Sequence, residues 1–310
     1  MKLYTGLGEV ERMNPHIKKI LKLFIPPIII KIKNYFSSSE KKLFFSTISE
    51  IQKQNKVLLI LGNGPSLNTS IAKYKTKMLN YDILVVNHFC ETEYYKELKP
   101  KYYLIADPNA FAKLDTLSDI VRDLTLKMQN ALVANTSWIM NLILPSIAKN
   151  SDFVFALSKN SFIHIFYYNT QNMTSCKTVD EFEAFDKNLI AVPSQTVLNA
   201  CLYYGIFKRY EYIYIMGADT NWIEKVHVNQ ETNQVYMYDE HYYGTDKRPL
   251  FIDVYGKVPS KLHEELYAFA RALESYWVLK DYADYAGVTI YNASEYSLID
   301  AFERNKLSGI

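Results

Sequence analysis

Short apolar runs alternate along the chain with longer stretches whose apolar positions repeat every three or four residues. The short runs predict β-strands over 57–61, 82–86, 101–105, 131–134, 152–157, 163–168, 211–216 and 287–291. The longer stretches predict a helix over 195–204 that ends at Gly205, and a helix over 260–285. The second helix carries an apolar stripe of Leu262, Leu266, Phe269, Leu273 and Trp277. Strands that alternate with helices indicate an α/β fold, with a Rossmann-like, mostly parallel sheet and helices on both faces.

Residues 1–50 depart from this alternation. Within them, the segment 17–33 interleaves lysines with large aliphatic residues around Pro26-Pro27. A membrane-spanning helix needs about 20 apolar residues, and this segment has no such run. We therefore expect a basic, apolar arm that lies on the membrane surface. The alternatives are a helix packed on the protein body and an arm that binds a partner.

Residues 51–310 are predicted to form one nucleotide-binding domain. Within it, residues 220–258 are polar, aromatic and rich in turn residues, which predicts an irregular lid.

The chain of 310 residues has a formal net charge of +2, which gives no argument for a nucleic-acid partner. Its 26 tyrosines fit an aromatic-lined sugar site or, more simply, a biased composition. Three distant cysteines and no recognisable signal peptide favour the reducing cytoplasm.

Polar residues follow four of the predicted strands, at positions that a parallel sheet would gather along one edge. They are Gly62, Asn63, Gly64 and Ser66, then Asn87, then Asp107 and Asn109, and finally Gly217, Asp219, Asn221 and Trp222. Ligands of open α/β sheets bind beyond the carboxyl ends of the strands. Asn and Asp can hydrogen-bond a ribose or a base there, although each residue alone is equally explained as a helix cap or turn residue.

Two predicted helix starts are candidate phosphate sites. The turn Gly62-Asn63-Gly64-Pro65-Ser66 lets the backbone approach a ligand, but it lacks the Lys of a Walker loop and the third Gly of GxGxxG. Ser194, Gln195 and Thr196 open the helix over 195–204, whose free N–H groups favour an anion. A plain strand-to-helix turn and an ordinary Ser cap are the alternatives.

The predicted lid contains a histidine suited to proton transfer. His241 follows Asp239-Glu240, and neighbouring carboxylates can orient an imidazole. Tyr242 and Tyr243 could hold a phosphate or pack on a sugar. No metal-ligand spacing surrounds His241, and we expect neither a metal nor another cofactor to be required.

In this order, the segments resemble the bacterial lipooligosaccharide sialyltransferase family, within a wider group of domains related to 6-hydroxymethylpterin diphosphokinase. The opening Ile-Ala-Gly-Asn-Gly-Pro-Ser-Leu segment of that family is similar to residues 60–67, and its later motifs are similar to 86–89, 193–196, 216–219 and 241–244. The chain departs from the family at 220–222, and at 106–108, where Ala-Asp-Pro replaces Tyr-Asn-Pro. The Asp107 carboxylate would repel an acidic donor sugar, or would bind a hydroxyl or amine instead.

The resemblance implies an inverting, metal-independent glycosyltransferase of surface polysaccharide synthesis, peripheral on the inner face of the plasma membrane. A CMP-linked acidic sugar is the favoured donor, with UDP- or GDP-linked sugars open, and a glycan or lipid-linked molecule is the acceptor. His241 would be the general base, and Asn63, Asn87, Ser194 and Asp219 would hold the nucleotide. The leaving phosphate would be contacted by Tyr238, Tyr242 or Tyr243. A homo-oligomer is left open.

Two other functions remain as alternatives. An ATP-dependent diphosphokinase would need magnesium, for which Asp107 and Asp219 are the candidate ligands. A non-catalytic nucleotide-binding protein of an envelope-assembly complex would need no chemistry at all.

Overall fold

A parallel sheet of eight strands lies at the centre of the chain. The computed structural model describes residues 47–169, 179–190, 196–241, 244–249 and 261–307. In chain order the strands are β1 Val57–Leu61, β2 Asp82–Val86, β3 Tyr102–Leu104, β4 Met140–Pro145, β5 Ile163–Tyr168, β6 Tyr212–Met216, β7 Val226–Val228, β8 Val235–His241, β9 Gly244–Pro249, β10 Thr289–Asn292 and β11 Glu303–Arg304. The large sheet has the order β11-β10-β6-β1-β2-β3-β4-β5.

All the pairings within the large sheet are parallel, and the register is continuous through its centre. Leu59 of β1 pairs with Ile83 of β2 on one side and with Tyr214 of β6 on the other. The order places β1 next to both β2 and β6, so the carboxyl ends of these three strands lie side by side. The predicted α/β fold with a mostly parallel sheet is confirmed.

Helices cover both faces of the sheet. They are α1 Ser66–Met78, α2 Glu93–Leu98, α3 Asp119–Asn135, α4 Asp152–Leu157, α5 Val179–Asp186, α6 Val197–Phe207 and α7 Leu262–Ala286. Alternate residues of β1 face opposite sides, as a strand requires: Leu59 and Leu61 pack with α1 to α4, whereas Leu58 and Ile60 pack with α5 to α7. Two apolar cores therefore enclose the sheet.

Two predicted strands are helical, and two strands of the large sheet, β4 and β11, were not predicted. Residues 131–134 continue α3, in which Thr125, Met128 and Leu132 recur at helical spacing and are buried. Residues 152–157 form α4, which begins where the Ser151 hydroxyl accepts the Val154 N–H at 3.3 Å. Both predictions were wrong because a short apolar run has the same appearance in a buried strand and on the buried side of a helix. β4, at Met140–Pro145, lies between these two segments, where no strand was predicted.

The helix predicted over 195–204 does not end at Gly205. It continues to Phe207 as α6, because Gly205 lies inside the helix at its closest approach to the sheet. A Cβ at this glycine would come 2.7 Å from Ile213 Cδ1 and 3.0 Å from Leu58 Cδ2. Gly205 is therefore a packing residue rather than a helix terminator.

The apolar stripe predicted for α7 is not the side that faces the sheet. Leu262, Leu266 and Trp277 are exposed, whereas Tyr276 and Leu279 are among the buried residues of this helix. A second row of Ala, Tyr and Leu residues at 272, 276, 279 and 283 has the same helical spacing and packs on the core. Spacing identified the helix correctly but selected the wrong row.

The insert at 220–258 is only partly irregular, in contrast to the prediction. β7, β8 and β9 form an antiparallel sheet in the order β7-β8-β9. Alternation of Val235 and Met237, both buried, with Tyr236 gives β8 the pattern of a half-buried strand. The arm at 17–33 lies outside the described residues. Among those that are described, no helix is long and apolar enough to cross a membrane.

Candidate functional site

The carboxyl ends of β1, β2, β3 and β6 surround a cavity of about 380 Å³. This volume is in the range of small-molecule sites, and the position is where open α/β sheets bind ligands. The predicted residues that line the cavity are Gly62, Asn63, Gly64, Asn87, Asp107, Asn109, Thr196, Gly217, Asp219, Asn221 and Trp222. The fold thus brings the four polar strand ends to one crevice.

The other predicted site residues have different positions. Ser66 lies in the first turn of α1 and does not line the cavity. The backbone of Tyr238 and His241 belongs to β8, where His241 pairs with Gly244 of β9. Four predicted residues lie outside the described part of the chain: Ser194, Gln195, Tyr242 and Tyr243.

The protein itself uses most of the N–H groups of the turn after β1. The N–H groups of Gly62 and Gly64 donate to the carbonyls of Met216 and Gly217 at 2.8 and 2.9 Å. Ser66 donates its N–H to Asp219 Oδ2 at 3.1 Å and its hydroxyl to Asp219 Oδ1. A carboxylate therefore occupies the anion-binding position at the start of α1. The prediction of a phosphate-side turn is corrected for Gly64 and Ser66, because these donors are already engaged.

Close packing explains the glycines of this turn. A Cβ on Gly64 would lie 2.4 Å from Asp219 Oδ1, and a Cβ on Gly62 would lie 2.4 Å from the carbonyl oxygen of Gly217. Gly217 has φ of +63°, a left-handed conformation that glycine adopts without strain. The absence of side chains at Gly62 and Gly64 thus makes room for the loop that follows β6, rather than for a ligand.

Asp219 is buried, with 6% of its surface exposed. Burial raises the pKa of its carboxyl group above the ordinary value, while the two hydrogen bonds from Ser66 offset part of that rise. Lys225, which also lines the cavity, acts on the Asp219 carboxyl in the same direction as Ser66. Both carboxylate oxygens already accept hydrogen bonds from Ser66, so the residue has a structural role in the turn.

Two asparagines that line the cavity each have a buried side-chain oxygen without a hydrogen-bond partner. Asn63 donates its side-chain amide to the Val86 carbonyl at 3.2 Å, which fixes its Oδ1 as the free acceptor. Oδ1 of Asn63 and Oδ1 of Asn87 are both buried and accept no hydrogen bond from the described residues. Asn87 also has φ of +48°, a left-handed conformation uncommon outside glycine. A buried acceptor without a donor costs about 1–3 kcal/mol, which a ligand donor would recover.

Thr196 caps α6 at the cavity wall. Its hydroxyl accepts the Asn199 N–H, and its own N–H donates to Asn199 Oδ1 at 3.2 Å. The hydroxyl also lies 3.2 Å from the Tyr276 hydroxyl. These contacts form a capping box, which satisfies donors at this helix start from within the protein.

One wall of the cavity was not predicted. Val121, Leu124, Thr125 and Met128 of α3 line it. Trp222 lines the cavity as well, and its ring stacks on Phe269 with centroids 5.9 Å apart. The α3 wall was not predicted, because no candidate site residue was assigned between Asn109 and Ser194.

His88 and Lys225 are the two cavity residues with basic side chains that sequence reasoning did not assign to the site. His88 follows Asn87 directly, and Glu91 lies three residues further on, a spacing that one tight turn brings together. Nδ1 of His88 lies 2.5 Å from Glu91 Oε1. The His-x-x-Glu spacing was the available signal for this pair.

The chain matches no protein-family model and no curated protein. Among the solved structures that are similar is that of MAf glycosyltransferase from Magnetospirillum magneticum AMB-1, with a TM-score of 0.48 and 9% sequence identity. The alignment covers 84% of this chain and 35% of that one, so the chain spans about a third of that protein's length.

Proposed function

We propose that the protein is a glycosyltransferase that binds a nucleotide-activated sugar in the cavity at the carboxyl edge of the sheet. The observation that carries this proposal is the pair of buried, unpartnered oxygens, Asn63 Oδ1 and Asn87 Oδ1. A nucleoside supplies matching donors, the hydroxyls of its ribose and the amino group of a base such as cytosine. The ligand would thus satisfy acceptors that the protein leaves unsatisfied.

The remaining walls suit the other parts of such a donor. The apolar side chains of α3 and the indole of Trp222 provide surfaces for a flat base or a sugar ring. Lys225 brings a positive charge to the cavity, which favours a phosphate there once the start of α1 is occupied by Asp219. A CMP-linked sugar is the favoured donor, with UDP- and GDP-linked sugars as the other members of the class.

Asp107 bears on which sugar the donor carries. Its Oδ1 accepts the Asn109 N–H at 2.9 Å, which leaves the second carboxylate oxygen to face a ligand. A carboxylate at this position favours sugar hydroxyls or an amine, and disfavours an acidic sugar placed against it. We propose Asp107 as a contact of the donor sugar, with Asn109, Asn221 and Trp222 beside it.

The reaction would be a direct displacement with inversion. The acceptor hydroxyl gives its proton to a histidine, its oxygen bonds to the anomeric carbon, and the bond from that carbon to the phosphate oxygen breaks. The electron pair of that bond leaves with the nucleotide. His241 is one candidate for the base, through the resemblance of residues 241–244 to the family motif. Acceptor binding at a membrane surface would explain the basic arm at 17–33.

The diphosphokinase alternative finds less support in the cavity. It needs carboxylates for magnesium, yet both oxygens of Asp219 accept hydrogen bonds from Ser66. Within the described ranges, no three His, Cys, Asp or Glu residues lie close enough together to hold a metal ion. Asp107 alone is a poor magnesium site.

Nucleotide release from activated sugars tests the proposal. The full chain is incubated with CMP-N-acetylneuraminate, UDP-glucose or GDP-mannose, with and without EDTA, and free nucleotide is quantified. We expect release from one of the three donors, either to water or to an added glycan, and no loss of activity with EDTA. Release from none of them, together with pyrophosphate transfer from ATP that EDTA abolishes, would replace the glycosyltransferase with the diphosphokinase.

A further inference from the structure

His88 and Glu91 form a hydrogen-bonded pair in the wall of the cavity. Both belong to the single turn of 3-10 helix at Asn87–Glu91, which follows β2 directly. The His88 side chain lines the cavity and is 25% exposed, so it is accessible to a ligand there. Its Nδ1 lies 2.5 Å from Glu91 Oε1, and its other ring nitrogen, Nε2, has no hydrogen-bond partner among the described residues.

A third residue fixes the charge of Glu91. Its second oxygen, Oε2, lies 2.8 Å from Lys127 Nζ of α3. Burial raises the pKa of Glu91, but the hydrogen bonds from His88 and Lys127 outweigh this effect, and the net pKa lies below the ordinary value. Glu91 is therefore a carboxylate near neutral pH and can only accept hydrogen bonds.

The ionised Glu91 decides the tautomer of His88. An acceptor-only partner at Nδ1 requires that the neutral imidazole carry its proton on Nδ1. The lone pair is then on Nε2, the nitrogen that is free to take a proton. This is the logic by which a carboxylate orients a histidine base in hydrolases, here built within one turn.

We propose that His88 is the general base of this cavity and that Glu91 is the residue that positions it. The inference rests on the proposed glycosyl transfer and names the group that serves it. Nε2 takes the proton of the acceptor hydroxyl as that oxygen bonds to the anomeric carbon, and the carbon–oxygen bond to the phosphate breaks with its electron pair on the phosphate. The resulting imidazolium is stabilised by Glu91, which stays ionised, and gives its proton to solvent afterwards. His241 then has no role in this step.

The first experiment needs no substrate. Long-range ¹H–¹⁵N spectra of histidine rings report which nitrogen is protonated, and the His88 signals are assigned from those lost in His88→Gln. At alkaline pH, we expect the neutral imidazole to carry its proton on Nδ1. In Glu91→Gln the side chain at position 91 can also donate an amide N–H to Nδ1 of His88. We therefore expect a shift toward the tautomer that carries its proton on Nε2. A wild-type spectrum in which Nε2 carries the proton at this pH would overturn the proposal.

The second experiment measures nucleotide release from the donor sugar that the protein accepts. We expect His88→Gln to lower turnover roughly 10²–10⁴-fold, with thermal stabilisation by the free nucleotide retained. Imidazole added to His88→Ala should restore part of the turnover, whereas His164→Gln, at an exposed position that does not line the cavity, should retain it. Near-normal turnover in His88→Gln, or loss confined to His241→Gln, would overturn the assignment.

These two readouts separate the inference from the function on which it rests. Should wild-type protein release nucleotide from none of the three donors, the proposed function fails, and His88 loses its proposed role as the base of that reaction. Should the donor be cleaved equally well by wild type and His88→Gln, glycosyl transfer stands and only the assignment of His88 fails.

Discussion

Asp219 links two elements that meet at the edge of the cavity, although 153 positions separate it from Ser66 in the sequence. Its carboxylate, just beyond the end of β6, accepts the N–H and the hydroxyl of the first residue of α1. A negative charge at a helix start is also favoured by the helix dipole. The residue was predicted as a nucleotide contact, whereas the structure uses its oxygens to hold the neighbouring turn.

Substitution of Asp219 tests this role. Asp219→Ala leaves the Ser66 N–H without a partner, and we expect a loss of about 1–2 kcal/mol in the free energy of unfolding. Asp219→Asn keeps one acceptor for the N–H and an amide that can donate to the Ser66 hydroxyl, so it should lose clearly less. Urea unfolding of the three proteins measures the difference. Equal losses in both variants would contradict the account.

The pKa of Asp219 predicts how the difference in stability between wild type and Asp219→Asn depends on pH. Because burial raises the folded-state pKa above the unfolded value of 3.8, the folded state binds the proton more tightly than the unfolded state does. The stabilisation is complete below the unfolded pKa and is lost as pH rises through the folded pKa. Wild type should therefore exceed Asp219→Asn in stability by more at about pH 4 than at pH 7. If wild type instead exceeds Asp219→Asn in stability by more at pH 7 than at pH 4, the predicted direction of this pH dependence is wrong.

At the scale of elements, sequence patterns predicted the centre of the sheet well and its edges less well. β1, β2 and β6 are uninterrupted apolar runs bounded by turn residues, as expected for strands buried on both faces. The end of α3, at 131–134, and α4 were assigned to strands because their short apolar runs have no periodicity long enough to distinguish a strand from a helix. The buried row of α7 could not be selected by spacing, since both rows satisfy it.

Gly205 shows how closely α6 packs on the sheet. We predict that a larger residue here destabilises the protein and that a second substitution, at Ile213, relieves part of this loss. Gly205→Ala places a methyl group 2.7 Å from Ile213 Cδ1, and we expect overpacking to cost about 1–3 kcal/mol. Ile213→Val removes that Cδ1 atom, so the double variant should lose less than the sum of the two single variants. Denaturant unfolding of the four proteins measures the coupling.

Gly287 provides the matched control for that cycle. It follows α7 with φ of +68°, and a Cβ there would meet no atom within 4 Å. Gly287→Ala should cost about 1–2 kcal/mol through backbone strain alone, with no rescue by Ile213→Val. At Gly287 the losses from the two substitutions should simply add. If they also add at Gly205, the packing role of Gly205 is contradicted.

At the scale of the whole molecule, the position of the site was predictable and its internal bonds were not. A parallel sheet gathers the residues that follow its strands, so Asn63, Asn87, Asp107 and Asp219 could be assigned to one edge from the sequence. Which of them would face a ligand depends on contacts such as that between Asp219 and Ser66, and these depend on the order β6-β1-β2. No local pattern encodes that order.

The basic arm predicts attachment of the full chain to anionic membranes. Each lysine near such a surface contributes about 1 kcal/mol, and the segment 17–33 contains Lys18, Lys19, Lys22, Lys31 and Lys33. We expect the protein to sediment with phosphatidylserine-containing vesicles and not with phosphatidylcholine alone. Replacing the five lysines by glutamine should abolish sedimentation without changing nucleotide binding. Equal sedimentation of wild type and variant would contradict this role of the arm.

The claim that the cavity binds the nucleotide of an activated sugar is tested most directly by thermal unfolding with CMP, UDP, GDP and ATP. Asn63→Ala removes one of the two unpartnered acceptors, Asn63 Oδ1 and Asn87 Oδ1. Asn55→Ala removes a similar side-chain bond, to the Asn80 carbonyl at 2.8 Å, away from the cavity. Ligand at about 100 times its Kd stabilises the folded state by about 2.7 kcal/mol. We predict a rise of several degrees in Tm with CMP, UDP or GDP, retained in Asn55→Ala and lost in Asn63→Ala. No shift with any nucleotide, or an equal shift in both variants, would contradict the account.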